Sequence, residues 1–294
     1  MQQQNPSVPP VLLTLLALIA FAANSVLGRL GLEDGSTDPA SFTTVRLAAG
    51  SLMLLLLVRL SRQDNGVRRG RGSWRGGCAL FAYAACFSYA YVSLATGTGA
   101  VILFGAVQLS IILASLVSGY RLRPLEWLGV VLAFGGFVYL MLPGVDAPDP
   151  AGFVLMALAG VAWGFYTLIG RGSVSPLADT AFNFTRTLPM AALLLGAVLI
   201  LSTPQLSPRS FLLAAASGAL TSGVGYAIWY RVLPALTPTQ AAVLQLLVPV
   251  LAAIGGVLLV DEPLTLRLVI AALLILGGIL MVIQARRVKA RPAA

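Results

Sequence analysis

Three pairs of segments in this chain read alike. Ala20 to Arg29 is AFAANSVLGR and Ala162 to Arg171 is AWGFYTLIGR; Phe42-Thr-Thr-Val-Arg46 is answered by Phe182-Asn-Phe-Thr-Arg186, and Gly135-Gly136 by Gly277-Gly278. The matches keep nearly one register, an offset of about 140 residues, as a duplicated unit would leave it. Each half holds five long apolar spans. An odd number of crossings sends the second copy into a membrane from the opposite side, so the halves are expected to be related by a pseudo-two-fold axis in the membrane plane, an arrangement typical of secondary transporters.

A membrane is required because 58% of the residues are apolar, only 10% are charged, and the mean hydropathy is +0.91, far from the balance of a soluble domain. Crossing a hydrocarbon core takes about 20 apolar residues, and ten segments qualify: 11–30, 39–58, 75–94, 98–119, 125–143, 151–170, 179–201, 210–230, 238–259 and 265–284. They are too long for barrel strands and do not alternate, so they are read as helices, whose backbone groups are satisfied within the segment. The predicted fold is an all-α integral membrane protein, with ten transmembrane helices in two inverted five-helix repeats around a central cavity. Pro143-Gly144 and Pro148-Asp-Pro150 break any helix and mark the seam. The expected organisation is an N-terminal stretch 1–10, a first repeat 11–145, a second repeat 146–284 and a basic tail 285–294. The first apolar span lacks a basic n-region and is the partner of an internal span, so it is read as a retained helix rather than a signal peptide.

The net charge of +9 is distributed by side. Arg59, Arg62, Arg68, Arg69, Arg71 and Arg75 crowd the connection after the second span. Arg121, Arg123, Arg171 and Arg231 follow spans four, six and eight, and Arg286, Arg287, Lys289 and Arg291 form the tail. In a ten-span topology all of these lie on one side. Opposite them are mainly Glu33, Asp34, Asp38, Asp146, Asp149, Asp261 and Glu262, with Arg209 and Arg267 as exceptions. The positive-inside rule then puts both termini in the cytoplasm. The basic excess reports orientation and contact with anionic lipid, and nucleic acid is not expected as a partner. Cys78 and Cys86 lie about 12 Å apart along one predicted helix, too far to bridge, and are read as packing residues.

Absences narrow the chemistry. There is no His, and no Asp or Glu sits near the middle of a span. Proton relays, carboxylate cation sites, metal centres and Ser-based hydrolysis all lack their usual groups, so no catalytic residue, metal ligand or cofactor is assigned. The groups near mid-membrane are neutral: Asn24, Tyr83, Gln108, Trp163, Tyr166, Ser222 and Gln245, with Thr221 and Tyr226 nearby. They come from spans that correspond between the repeats, as a cavity at the repeat interface would require. Aromatic faces give apolar contact, and amide and hydroxyl tips supply orienting hydrogen bonds, which suits a small zwitterion or neutral polar solute. A polyanion would want clustered cations, and Lys289 is the sole lysine. For Tyr83 and Trp163, core packing remains an equal alternative to lining. For Gln108 and Gln245, a cavity role is favoured over a bond across helices.

Three further residues are assigned to structure or gating. Pro249 removes a mid-span hydrogen bond, which fits either a hinge or a static bend. Arg46 and Arg186 end the repeated F-x-x-x-R pattern inside their spans, where water or neighbouring carbonyls are expected to satisfy them. Their presence in both copies favours a scaffold or gating role over direct substrate binding.

The two five-span repeats resemble the EamA-type units of the drug/metabolite transporter superfamily over essentially the whole chain. The resemblance is carried by Arg46 and Arg186, by Ala241-Ala-Val-Leu-Gln-Leu-Leu-Val-Pro249, by Asp261-Glu262-Pro263 and by Gly277-Gly278. In the first half Gln108 replaces the proline and Tyr120-Arg121 stands where the acidic pair would be. Within the superfamily the chain looks most like the YddG amino-acid exporters. That resemblance implies export of aromatic and other amino acids from a bacterial cytoplasm through the inner membrane, by a basket of ten helices with a central cavity. The mechanism is read as alternating access, and since a duplicated chain can make its cavity alone, a monomer is expected. The runner-up is export of drugs or other small metabolites.

Overall fold

Proline punctuates the chain. In the computed structural model, which describes residues 9–61, 72–144, 146–171, 173–236 and 238–289, most helices begin on a proline whose missing N–H costs nothing in a first turn. The helices are α1 (Pro10–Leu32), α2 (Pro39–Leu60), α3 (Trp74–Ala90), α4 (Thr96–Val117), α5 (Pro124–Met141), α6 (Pro150–Ile169) and α7 (Pro176–Leu201). After them come α8 (Pro208–Ala216), a π-helical stretch Ser217–Val224, α9 (Gly225–Val232), α10 (Pro238–Gln245), α11 (Leu247–Leu259) and α12 (Leu266–Lys289). Side-chain caps fix several starts: Asp38, Ser73, Asp149 and Ser207 each accept a backbone N–H three residues on. Asp149 and Pro150 thus turn the seam between the repeats into the first turn of α6. Of the basic residues read as marking one side, Arg62, Arg68, Arg69, Arg71 and Arg291 fall outside the described residues. So do the side chains of Arg286, Arg287 and Lys289, and residues 1–8 of the N-terminal stretch.

Among the described residues nine helical segments are long and apolar enough to cross a membrane, where ten were expected. The tenth rod is α3. At 17 residues it rises about 25 Å, short of the hydrocarbon core. The carbonyls just past its end are satisfied by a tertiary contact: Tyr91 O and Val92 O accept from the Arg29 guanidinium at 3.1 and 3.0 Å.

Packing follows the duplication. The span built from α8, the π stretch and α9 corresponds to α3, and the span built from α10 and α11 corresponds to α4. With that mapping, α3 packs on α6 as α9 and the π stretch pack on α1. Likewise α4 packs on α6 as α11 packs on α1, and α2 with α7, α4 with α11 and α5 with α12 are self-paired. The α5–α12 seam is an approach of backbone to backbone. A Cβ on Gly129 would stand 2.5 Å from Gly278 O, and one on Gly278 would collide in the same way with Gly129 O. Without a hydrophobic drive inside lipid, such backbone contact is a main source of association energy. The outer surface carries exposed Leu15, Ile19, Leu52, Leu113, Val131, Phe134 and Leu273, the apolar girdle that faces acyl chains.

Candidate functional site: a one-sided cavity between the repeats

A cavity of about 480 Å³ lies between the repeats, within the size range of small-molecule sites. Its wall contains Asn24, Tyr83, Gln108, Trp163, Tyr166, Ser222 and Gln245, so one chamber brings together all seven residues singled out for substrate contact. Phe21, Phe104, Asn183, Thr221, Tyr226 and Trp229 complete much of the lining. Trp163 is the hub of the aromatic side, with ring centroids 4.8 Å from Tyr83, 5.2 Å from Tyr166 and 5.4 Å from Tyr226. Phe21, its repeat counterpart, meets Tyr226 and Trp229 edge-on at 5.7 and 5.8 Å. The duplication thus supplies an aromatic ring to each side of the chamber.

Hydroxyl and amide groups join these rings in two networks. Tyr166 donates to Thr180 Oγ1 at 3.3 Å, and Thr180 donates to Tyr230 at 3.1 Å. On the other side Asn24 Oδ1 accepts from Ser217 and Thr221 at 2.7 and 3.2 Å, while its Nδ2 donates to the Tyr83 hydroxyl at 3.1 Å. The π stretch delivers Ser217, Thr221 and Ser222 to this point. Its wide turns let Gly218 press against α2, where an added Cβ would collide with Arg46 O. Sequence patterning carries no signal for a π turn, although such turns recur at functional sites.

The two arginines of the repeated motif have different surroundings. Arg46 is 2% exposed. It donates from Nη2 to the Tyr83 hydroxyl at 2.9 Å, and its guanidinium lies 4.4 Å from the Phe87 ring centroid and 5.2 Å from that of Tyr83. It is too deeply buried for bulk solvent and donates to a tyrosine rather than to a helix-end carbonyl, contrary to the sequence expectation, because the π stretch and α3 close over it. Arg186 is half-buried. It donates to Phe182 O one turn back on its own helix and lies 5.9 Å from the Trp74 ring. There α7 meets α3 through Gly77, and the guanidinium stays at the edge of the bundle. Neither arginine lines the cavity. Pro249 does not line it either; it is buried three residues beyond the break at Leu246 that separates α10 from α11, and Gln245 lines the cavity at that break.

The chamber's lining reaches helix ends on one side, where Arg171, Ser173, Pro176, Asp179 and Leu233 frame its mouth, and Asp179 and Asn183 anchor the start of α3 by accepting from Gly72 N and Ser73 N. Beyond its other end, next to a smaller cavity of about 210 Å³ lined in part by Glu262, a polar latch that the sequence reading passed over joins the repeats. Arg29 Nε lies 3.3 Å from Glu262 Oε1, and both Glu262 oxygens lie within 2.9 Å of Thr96 N. Asp261, at φ 55°, takes the left-handed conformation that Asp tolerates better than most residues and turns Glu262 back toward Gly256. Together Arg29, the Tyr91 and Val92 carbonyls, Thr96 and Glu262 tie α1, α3 and α4 of the first repeat to the end of α11 in the second. A trace was present in the sequence: the longest repeat match ends on Arg29 in one copy and Arg171 in the other, and Glu262 belongs to the Asp-Glu-Pro motif.

An integral membrane bundle of duplicated helices, with a polar–aromatic chamber open at one end and latched at the other, defines a multi-pass membrane transporter. The chain belongs to the EamA-like transporter family, whose model matches it twice, over residues 8–142 and 150–284. It is 52% identical to an uncharacterized protein of Pseudomonas aeruginosa over 259 residues, covering 88% of this chain and 89% of that one. It is also similar to an uncharacterized transporter of Archaeoglobus fulgidus, at 26% identity over 83% of this chain and 86% of that one. A probable amino-acid metabolite efflux pump of Escherichia coli is 24% identical over 86% of this chain and 87% of its own length. A solved crystal structure superposes with a TM-score of 0.62 at 20% identity, covering 95% of this chain and 99% of that one, which speaks to the fold alone.

Proposed function

We propose that the protein exports small amino-acid metabolites from the bacterial cytoplasm across the inner membrane by alternating access. One observation carries the reading: a chamber walled by aromatic rings and neutral hydrogen-bonding groups is open at one end and closed by the Arg29–Glu262 latch at the other. The size and chemistry suit a single small zwitterion. Arg59, Arg75, Arg171 and Arg231 lie toward the mouth, and Glu33, Asp34, Asp38, Asp261 and Glu262 toward the latch, so the positive-inside rule assigns the mouth to the cytoplasm. The conformation described is then the inward-open one, ready to load cargo for export. The resemblance to a probable amino-acid metabolite efflux pump supports the substrate class.

In this reading Asn24, Tyr83, Gln108, Trp163, Tyr166, Ser222 and Gln245 contact cargo, and the break at Leu246 beside Pro249 is the hinge. Described residues offer no central carboxylate for a proton, which favours facilitated movement down the cargo gradient. A single duplicated chain completes the chamber, so a monomer suffices. The test is flux in proteoliposomes with a panel of labelled aromatic and aliphatic amino acids, with and without an imposed pH gradient. Flux of these compounds that ignores the pH gradient is expected. Flux of drugs or other metabolites, with none of any amino acid, would replace this substrate class by the alternative export reading.

A further inference from the structure

We infer that Tyr83, backed by the buried Arg46, forms a carboxylate subsite in the chamber and that cargo is selected by its carboxylate. This deepens the export reading and rests on it. A phenol oxygen has two acceptor positions and one proton. Both acceptor positions of Tyr83 are taken by donors, Asn24 Nδ2 at 3.1 Å and Arg46 Nη2 at 2.9 Å. Among the described residues Tyr83 donates to no protein acceptor, and its side chain lines the chamber beside Trp163. Its proton is therefore available to an acceptor entering from the mouth.

The charge behind that hydroxyl is also incomplete. Arg46 has no carboxylate partner among the described residues, and its Nη1 is buried without a hydrogen-bond partner. Phe87 and Tyr83 hold the guanidinium by their ring faces, which offsets only part of the cost of taking a cation out of water. A lone buried cation that polarises a donor toward a cavity is a pre-set receptor for one negative charge, and the arriving carboxylate supplies the missing counter-charge. Tyr83 touches cargo, whereas Arg46 acts through Tyr83 as a positioning residue. Asn24 holds the pattern in place because Ser217 and Thr221 fix its carbonyl oxygen, leaving its amide nitrogen for Tyr83. Among the described residues the one cation in the lining, Arg171, stands at the mouth away from Tyr83, so the subsite is built for one carboxylate.

The test uses the full-length protein, purified in detergent for calorimetric binding and reconstituted for flux, with four matched probes: phenylalanine, phenylpropionate, phenylalaninamide and phenethylamine. Phenylalanine and phenylpropionate are expected to bind, and the two probes lacking a carboxylate to bind at least about tenfold more weakly, as for a hydrogen bond to a charged group. Tyr83→Phe removes the one hydroxyl of the subsite and should erase that difference, lowering affinity for the two acids more than for the amide and the amine. Asn24→Asp keeps the shape but captures the Tyr83 proton and neutralises Arg46, so it should erase the preference as well. Equal binding of acids and amides by the wild-type protein, or an acid preference that survives in both folded variants, would overturn the subsite. So would failure of every probe to bind. Acid-selective binding without amino-acid flux would uphold the subsite and sink the export reading, while flux indifferent to the carboxylate would do the reverse.

Discussion

Replacing Glu262 by Gln should loosen the closed end of the chamber without unfolding the protein. Glu262 holds Arg29 at 3.3 Å and accepts Thr96 N on both oxygens at 2.9 and 2.8 Å, with side chains 20% and 13% exposed for Arg29 and Glu262. An exposed ion pair contributes about 0–1 kcal/mol, this mostly buried one more than that, and a hydrogen bond to a charged acceptor about 1.5–3. Glutamine keeps a neutral acceptor for Thr96 N, so the differential loss is about 1–2 kcal/mol, confined to the conformation in which the latch is made. That corresponds to roughly a 5- to 30-fold shift in population toward the state open at this end. The change is readable by maleimide labelling of a Ser25→Cys variant, which places a thiol at a buried chamber position, in a background with Cys78 and Cys86 replaced. In right-side-out vesicles the reagent should reach the introduced thiol about 5 to 30 times faster when Glu262→Gln is also present, and adding Arg29→Gln, which also gives up the Tyr91 O and Val92 O bonds, should fall short of the product of the two single effects because both break one pair. Unchanged labelling on Glu262→Gln substitution, or full additivity of the two substitutions, would refute the assignment of Arg29–Glu262 as the latch.

Three other outcomes are expected. Trp163→Ala should remove the ring that joins Tyr83, Tyr166 and Tyr226, and Gln245→Ala one polar wall; each should lower flux at least about tenfold with unchanged elution in size-exclusion chromatography, and full flux in both would dissolve the chamber assignment. Gly278→Ala should lower thermal stability by about 1–3 kcal/mol through overpacking against Gly129 O, whereas Gly277→Ala, where an added Cβ meets nothing within 4 Å, should be neutral or slightly stabilising; equal melting temperatures would refute the close α5–α12 contact. Pro249→Ala restores a backbone donor four residues after Gln245 and should slow the exchange of the chamber between its two openings, seen as a lower maximal flux with unchanged apparent affinity; an unaltered maximal rate would make the break a static bend.

Lipid is an exacting solvent, and for that reason the chain by itself determined a great deal. A segment that cannot hydrogen-bond its surroundings must satisfy its own backbone, so apolar length alone specified helices, and the odd number of spans in each copy specified the inversion. The positions of neutral polar residues in corresponding spans were enough to assemble a lining set, because a buried polar side chain in a membrane has few places to go. Tertiary structure decided what composition and spacing cannot encode. Arg46 and Arg186 end the same motif, yet one lies under the π stretch and α3 while the other, where α3 meets α7 through Gly77, rests at the bundle edge over Trp74. The Arg29–Glu262 contact joins residues from opposite ends of the sequence, and the carbonyls just past α3 find their donor in the same Arg29. Hydropathy is a local property that fixes which segments enter the membrane. Which charged groups are paired, buried or left waiting for a counter-charge depends on contacts between the two copies, and those exist only once the repeats have packed.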